Sequence, residues 1–486
     1  MKISLKATRL GLRNSTTRIP FRYGNACLTR CPQAVLAATV EVAGKRQVGY
    51  SGECLPPSWF DKSADKDFAQ QIDDMLAAID LATLSFRDVL ARPSRFFPAW
   101  LAANQQVQDL GGQRDMTPLL SSFGFSMLER AVLDAICRAH DVSFADAVRS
   151  NLFGIEPGAV HQELVGCQPR QWLPARPADS IYVRHTIGLG DPLTAADVPP
   201  EERIDDGFPH LLEQYVQRCG LRYFKVKVSN QLEHDLDRIA QIAALVERHR
   251  GDDYRITLDG NEQYKQAEQF DRLIAAIRAE RPLNQFWENV LAIEQPLDRK
   301  IALSSEHTQG IRELSQLKPV IIDESDGTLD AYRQAIALGY RGVSSKCCKG
   351  AIKSLLNAGL TWWHNDRGQR SDYLMTGEDL CSVGIVPVQA DMCLVATLGL
   401  RHIERNGHHY HPGLSYLPKS QQQAALVAHG DFYHEYQGVI APKLVEGRFE
   451  IGSLQCAGFG FAVEPEMESM QSPAAWDFGS LGLNGE

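Results

Sequence analysis

The sequence predicts an α/β protein: a (β/α)-barrel, TIM-like but modified, with an α+β N-terminal capping domain completed by the C-terminal tail. Three observations predict it. Lys225, Asp259, Glu294, Asp323, Lys346 and Glu378 each stand at the end of a short apolar, strand-like run, spaced 34, 35, 29, 23 and 32 residues apart. That spacing is about one strand–helix unit. Runs with helical period, such as LDRIAQIAALVERH and AYRQAIALG, fall between them. The first of these strands ends HTIGLGDP, without the Gly-rich phosphate loop that an open doubly wound sheet usually carries.

Taken in order, residues 1–165 read as the capping domain. ATRLGL and AVLAATVEVAG have strand character, and GYSGECLPPSWF is a Gly/Pro-punctuated loop. Helical period begins near Asp67 and returns in SMLERAVLDAICRAH. The Pro-rich QPRQWLPARPADS reads as a linker into a barrel over residues 178–430. Its strands are IYVRHTIG, YFKVKVS, RITLDGN, LAIEQPL, PVIIDES, RGVSSKCCK and DYLMTGEDL, with a final unit in ATLGLRHIERNGHHYHPG. Residues 431–486 form a C-terminal segment expected to pack back on the cap, with hairpin strands in LVEGRFEIGSLQCAGFGFAVE.

A net charge of −10 argues against a nucleic-acid surface, which needs clustered basic residues. No apolar run reaches the roughly 18 residues of a membrane span. The 11 cysteines show no framework spacing, so reduced thiols and a cytoplasmic location are expected. The opening MKISLKATRLGLRNSTT has no continuous apolar stretch of the signal-peptide kind.

Asp259, Glu294 and Asp323 end successive strands, and in a barrel those ends converge on the face where active sites are built. Three converging carboxylates need a cation or protons to coexist. Oxygen ligands favour a hard ion, by default Mg2+, with Mn2+ as a substitute. Glu324 and Asn261 are auxiliary candidates. Lys225 and Lys227, two apart on one strand, share a face. There each ammonium lowers the other's proton affinity, as a catalytic base requires. Lys346 ends the strand four along, with Lys349 three residues beyond it. In an eight-stranded barrel it faces Lys227 across the axis, so the two could exchange a proton with opposite faces of a substrate. The competing reading of Lys346 is a counter-ion for Asp323 or Glu378.

The ordered set KVK, LDGN, IEQP, DES and Lys346 resembles the enolase superfamily, in its mandelate racemase/muconate lactonizing family. IPFRYGNA and GYSGECLPP resemble that family's cap, and AGFGFAVE its usual ending. The resemblance implies Asp259, Glu294 and Asp323 as magnesium ligands, Lys227 and Lys346 as opposed acid/bases and Lys225 as electrostatic partner. It implies Glu378, in MTGED, as a group that hydrogen-bonds the intermediate. The lysine at 346 is similar to the muconate lactonizing subgroup. The reaction so implied abstracts the proton alpha to a substrate carboxylate through an enediolate. The outcome would be racemisation, epimerisation or cycloisomerisation. A lyase removing water from a hydroxy or sugar acid is the alternative, and a non-catalytic binding protein the third reading. A homo-oligomer is expected, because the family often forms them.

Substrate contacts are expected from Arg22, Tyr23 and Trp59 in the cap, and from His185 beside Arg184, Asn261, Lys349 and His408 in the barrel. The chain departs from the family pattern in HHYHPG and in the extra segments DPLTAADVPPEERIDDG and TWWHNDRGQRSD. It also lacks the Asp-x-Asp that dipeptide epimerases carry in the last unit. The partner is therefore read as a small-molecule carboxylate whose remaining structure is open.

Overall fold

The structure is a computed structural model describing residues 1–23, 26–63, 65–405 and 407–482. The cap is built on a four-stranded antiparallel sheet in which β3 (Lys45–Cys54), β2 (Ala26–Val42) and β1 (Lys2–Tyr23) lie in that order and the two-residue strand Ser94–Arg95 pairs with the far edge of β1. β1 runs 22 residues, longer than the short strands expected, because nearly its whole length pairs with β2, from Ile3↔Val42 to Tyr23↔Ala26.

Helices α1 (Phe68–Val89), α2 (Phe96–Gly112), α3 (Pro118–His140) and α4 (Phe144–Arg149) complete the cap. Asp67 starts α1 through a capping box with Gln70, and Thr117 caps α3 with Pro118 in its first turn. α2 lies in a stretch not assigned from sequence. Its buried Phe96, Phe97, Trp100, Ala103 and Val107 recur at helical spacing. α3 is buried nearly all round because the sheet, α1 and the barrel enclose it.

The barrel closes from eight parallel strands: β4 (Ser180–Ile187), β5 (Tyr223–Lys227), β6 (Arg255–Asp259), β7 (Val290–Glu294), β8 (Val320–Ile322), β9 (Gly342–Ser345), β10 (Leu374–Gly377) and β11 (His402–Glu404). Register His402↔Tyr182 joins the last strand to the first. Helices that cover it include α5 (Leu212–Cys219), α6 (Leu232–Arg250), α7 (Ala267–Ala279), α8 (Asn284–Glu288), α9 (Ile311–Leu317), α10 (Ala331–Leu338), α11 (Ala351–Gly368) and α12 (Val386–Leu398). Strand alternation decides which side chains enter the barrel. Arg184, Thr186, Lys225 and Lys227 point in, whereas Phe224 and Val226 are buried under the helices.

After β11 come the short helix α13 (Gly407–Tyr410), then α14 (Lys419–Ala428). A hairpin not expected from the sequence stands at β12 (Tyr433–Tyr436) and β13 (Val439–Pro442), and within the expected segment Val445 and Arg448 close a tight turn by exchanging backbone hydrogen bonds at 3.0 Å. In the expected hairpin segment, RFE forms β14 (Arg448–Glu450), antiparallel to the lower end of β4, and AGFGFAVE is not extended into a strand. Gly458 and Gly460 take positive φ there and turn the chain onto the cap. Asp134 of α3 joins the parts: its carboxylate accepts from Tyr50 N at 2.9 Å, Phe459 N at 2.8 Å and Arg138 Nε at 2.7 Å. Phe144 packs on Phe459 with ring centroids 4.1 Å apart. The eleven cysteines are free, and no described helix is long and apolar enough to cross a membrane.

Two stability predictions follow from this packing. A Cβ at Gly49 on β3 would stand 2.2 Å from both the carbonyl oxygen of Ala131 and the nitrogen of Ala135, backbone atoms of α3. Gly49→Ala should therefore cost about 2 kcal/mol or more, read as a lower urea midpoint at unchanged slope. His161 is buried with both ring nitrogens unpartnered, and burial lowers its pKa from 6.5 to about 4. The unfolded chain binds this proton below pH 6.5 and the folded chain only near pH 4, so stability falls as pH drops through that window. Between pH 7 and pH 5 the group should account for about 2 kcal/mol of lost stability. His161→Leu should show correspondingly less acid sensitivity in urea melts.

Candidate active site

Each strand end places one charged side chain at the barrel mouth. Lys225 Nζ lies 2.6 Å from Glu294 Oε1, 3.0 Å from Glu404 Oε2, 3.2 Å from Asp259 Oδ2 and 3.3 Å from Glu378 Oε2. Arg184 Nη2 donates to Glu378 Oε1 at 2.5 Å, and the Thr186 hydroxyl donates to Glu404 Oε1. Lys346 Nζ lies 2.8 Å from Asp323 Oδ2 and 3.1 Å from Glu378 Oε2. The two networks meet at Glu378 Oε2.

Burial and neighbouring charge compete at every group. Burial alone would lower Lys225, but Asp259, Glu294, Glu378 and Glu404 outweigh it and hold its pKa well above the ordinary value. Lys346 behaves likewise, through Asp323 and Glu378. Burial would raise Asp323, yet Lys346, Lys349 and Lys225 bring it well below. Glu294 is raised, by burial first and then by Glu378. Burial and the adjacent Asp323 push Glu324 up to about 7. The expectation from sequence was a lysine pair whose members lower each other. At Lys225 the acids dominate instead, because four carboxylates stand within 3.3 Å of its nitrogen.

Among the described residues, Glu294, Asp323 and Glu378 offer oxygens all within 4.8 Å of one another. Glu294 Oε2 is buried and has no hydrogen-bond partner, an arrangement that costs free energy unless a cation or proton satisfies it. Three oxygen donors so placed fit a hard divalent ion. Asp259, expected as the third acid of this group, reaches it through Lys225. Gln295, next to Glu294, was not anticipated as a site residue. Its Oε1 accepts from Asp323 N at 2.8 Å, fixing one acid-bearing strand end against the next. Asp379, adjacent to Glu378, was likewise unanticipated and lines the cavity, paired with Arg405.

A cavity at this mouth is lined by Lys227, Lys346, Asn261 and Glu404 on the barrel side. Phe21, Pro56 and Trp59 line it from the cap. Lys227 Nζ donates to Asn261 Oδ1 at 2.8 Å and stands 3.8 Å from Asp259 Oδ2. Lys346 Nζ lies 4.6 Å from the centroid of the Trp59 ring, a cation–π distance. The loop that carries Trp59 is tied to the barrel. Glu262 pairs with Lys62 and receives Arg299 at 2.7 and 2.8 Å, while Arg299 Nη1 donates to Phe60 O at 3.1 Å. Asn261 and Glu262 both take positive φ, 45° and 66°, which turns Glu262 from the strand end toward the cap.

Several expected substrate contacts lie elsewhere. His185 is on the outer face of β4, its ring 4.6 Å from Tyr215 of α5 and its Nδ1 3.3 Å from His408 Nε2. His408 lies with it, behind the barrel wall, because a side chain next to the inward-pointing Arg184 and Thr186 must point outward. Lys349 is buried behind Asp323, 3.1 Å from its Oδ1 and 2.8 Å from Ser344 Oγ, and does not line the cavity. Arg184 pairs with Glu378 deep in the barrel. Arg22 and Tyr23 end β1, and their side chains lie outside the described residues.

The fold and the mouth of charged strand ends define a capped (β/α)-barrel with its charged groups at the C-terminal strand ends. Residues 208–349 match the family model described as "Enolase C-terminal domain-like". A comparison with curated protein sequences gives no match. Among solved structures, a mandelate racemase/muconate lactonizing protein from Herpetosiphon aurantiacus is similar at 14% identity and TM-score 0.58, over 95% of this chain and 99% of that one. The muconate lactonizing enzyme from Pseudomonas fluorescens, complexed with muconolactone, is similar at 14% identity and TM-score 0.55, over 96% and 98%. The dipeptide epimerase from Enterococcus faecalis, complexed with Mg and the dipeptide L-Leu-L-Tyr, is similar at 12% identity and TM-score 0.57, over 95% and 99%. Residues 208–349 thus match the enolase C-terminal domain-like family, and nearly the whole chain shares the fold of the mandelate racemase/muconate lactonizing structures.

Magnesium titration followed calorimetrically tests the acid group. Glu294→Gln should weaken binding at least about tenfold, or roughly 1.4 kcal/mol. Parallel titrations of Asp259→Asn and Glu378→Gln decide which of those two acids completes the set. Unchanged affinity in Glu294→Gln would sink the site.

Proposed function

We propose that this chain is a magnesium-dependent enzyme that removes the proton alpha to a substrate carboxylate and returns it to the opposite face, an isomerase of the racemase, epimerase or cycloisomerase kind. One observation carries the reading. Lys227 and Lys346 rise from strands four apart in a barrel of eight, and both line one cavity beside the buried acid group. The fold relatives bound to muconolactone and to Mg with a dipeptide support it.

Asp323 and Glu294, with Asp259 or Glu378, would hold the ion, whose charge polarises a carboxylate placed in the cavity. Everything else is the work of the chain's own groups. Lys227 is the less anchored amine, bonded to Asn261 and 3.8 Å from its nearest carboxylate. In its neutral form it takes the proton at Nζ. The buried ammonium of Lys225, two residues before it, stabilises the negative charge that then develops on the carboxylate oxygens. Lys346, kept protonated by Asp323 and Glu378, gives its proton from the other side. Trp59, Phe21 and Pro56 cover the cavity and limit water at the reacting carbon.

Candidate amino-acid derivatives and acid sugars should be incubated with the enzyme and magnesium in deuterated water. For a substrate presenting its proton to Lys227, Lys346→Ala should keep exchange while losing inversion by about 100-fold or more, and Lys227→Ala should lose both. Turnover unaffected by both substitutions overturns the proposal. Loss of a hydroxyl with the same lysine dependence would move the protein to the dehydratases.

A further inference from the structure

Two of the three segments that depart from the family pattern border one chamber away from the catalytic cavity. Phe208 follows directly on the extra segment that ends at Gly207, α5 supplies Tyr215, the HHYHPG stretch supplies His408 and His411, and β12 supplies His434 and Tyr436. These six rings line one chamber, which shares no lining residue with the catalytic cavity. Tyr436 OH donates to Gly207 O at 3.0 Å, holding the extra segment to the hairpin. Arg18 of β1 clamps the same segment by pairing with Asp206 at 2.8 and 2.9 Å.

The lining has a definite chemistry. His434 and Tyr436 stack with centroids 5.6 Å apart and planes 12° apart, forming a flat wall, and Phe208 stands edge-on to Tyr436 at 5.1 Å. Flat ligands stack on or meet the edges of such rings favourably. Ala441, Pro442 and Leu444 add apolar surface. No carboxylate lines the chamber among the described residues. Exposed Arg218 lines its rim without an ion-pair partner among the described residues, and exposed Lys443 sits between lining residues Pro442 and Leu444. Among the described residues Arg218 is the one acidic or basic side chain of the lining other than histidine.

We infer that this chamber is a second binding site, taking a flat aromatic ring that bears one anionic group. It does not depend on the reaction proposed above. The test is calorimetry on the full chain with indole-3-carboxylate as probe and tryptamine as its cationic counterpart. The carboxylate should bind at least tenfold more tightly than the amine. Arg218→Gln, a change on an exposed helix face, should weaken carboxylate binding at least fivefold. Tyr436→Ser should weaken it at least tenfold. Glu294→Gln, in the catalytic cavity, should leave it within twofold. Three results overturn the inference: no binding at millimolar probe, equal binding of acid and amine, or binding that Glu294→Gln abolishes while Arg218→Gln and Tyr436→Ser leave it intact.

Discussion

The barrel mouth depends on one constraint: charges removed from water must be paired. Two unit charges about 4 Å apart interact by roughly 4 kcal/mol at the effective dielectric near a protein surface. Asp259, Glu294, Asp323, Glu378 and Glu404 would repel one another by amounts of that order if they stood alone. They are tolerated because Lys225 serves four of them and Lys346 bridges two, with Glu378 common to both. Arg184 underneath and Lys349 behind neutralise the outer sides of Glu378 and Asp323. The alternation of barrel strands makes this possible, since side chains two residues apart enter the same interior at fixed spacing. Removing one partner of such a network leaves an uncompensated buried charge, the most destabilising kind of polar loss.

The same network reaches into the cap. Lys346 faces acids on one side and the Trp59 ring on the other, so the lid over the cavity touches the amine assigned the proton return. Trp59 is held by its neighbours Phe60 and Lys62, tied to Arg299 and Glu262 of the barrel. Glu262 stands three residues after Asp259. The strand end that carries an acid to the centre thus also carries the anchor for the cover, and geometry at one propagates to the other.

Much of this was legible because the signals were local. The strand-end charges at one-unit spacing gave the order of the barrel strands, and the two-residue spacing of Lys225 and Lys227 put both amines inside. What escaped depends on facing and on distant pairing. His185 stands near the end of an apolar strand, as Lys227 does, but one residue out of the inward alternation of Arg184 and Thr186. The tail's strand RFE falls where the sequence placed one, but its partner, the lower end of β4 more than 250 residues earlier, has no local mark, and the hairpin of β12 and β13 went unassigned. Glu378's part in the acid group could not be read from spacing, which singled out three successive units and not the oxygens that finally meet. The long β1 escaped because its polar residues, among them Arg9, Arg13 and Asn14, contact the tail: Glu468, Ser469 and Ser480.

Asp134 binds Tyr50 of the cap sheet and Phe459 of the tail at once, and the second partner is 325 residues further along the chain. At roughly 5–20 residues per second, a ribosome needs on the order of half a minute to supply it. Through that interval the emerging cap has an acid half served and Phe144 open to solvent. Its first folding stage is therefore a waiting state, exposed to premature association and suited to chaperone shelter, until synthesis of the last stretch closes the domain that emerged first.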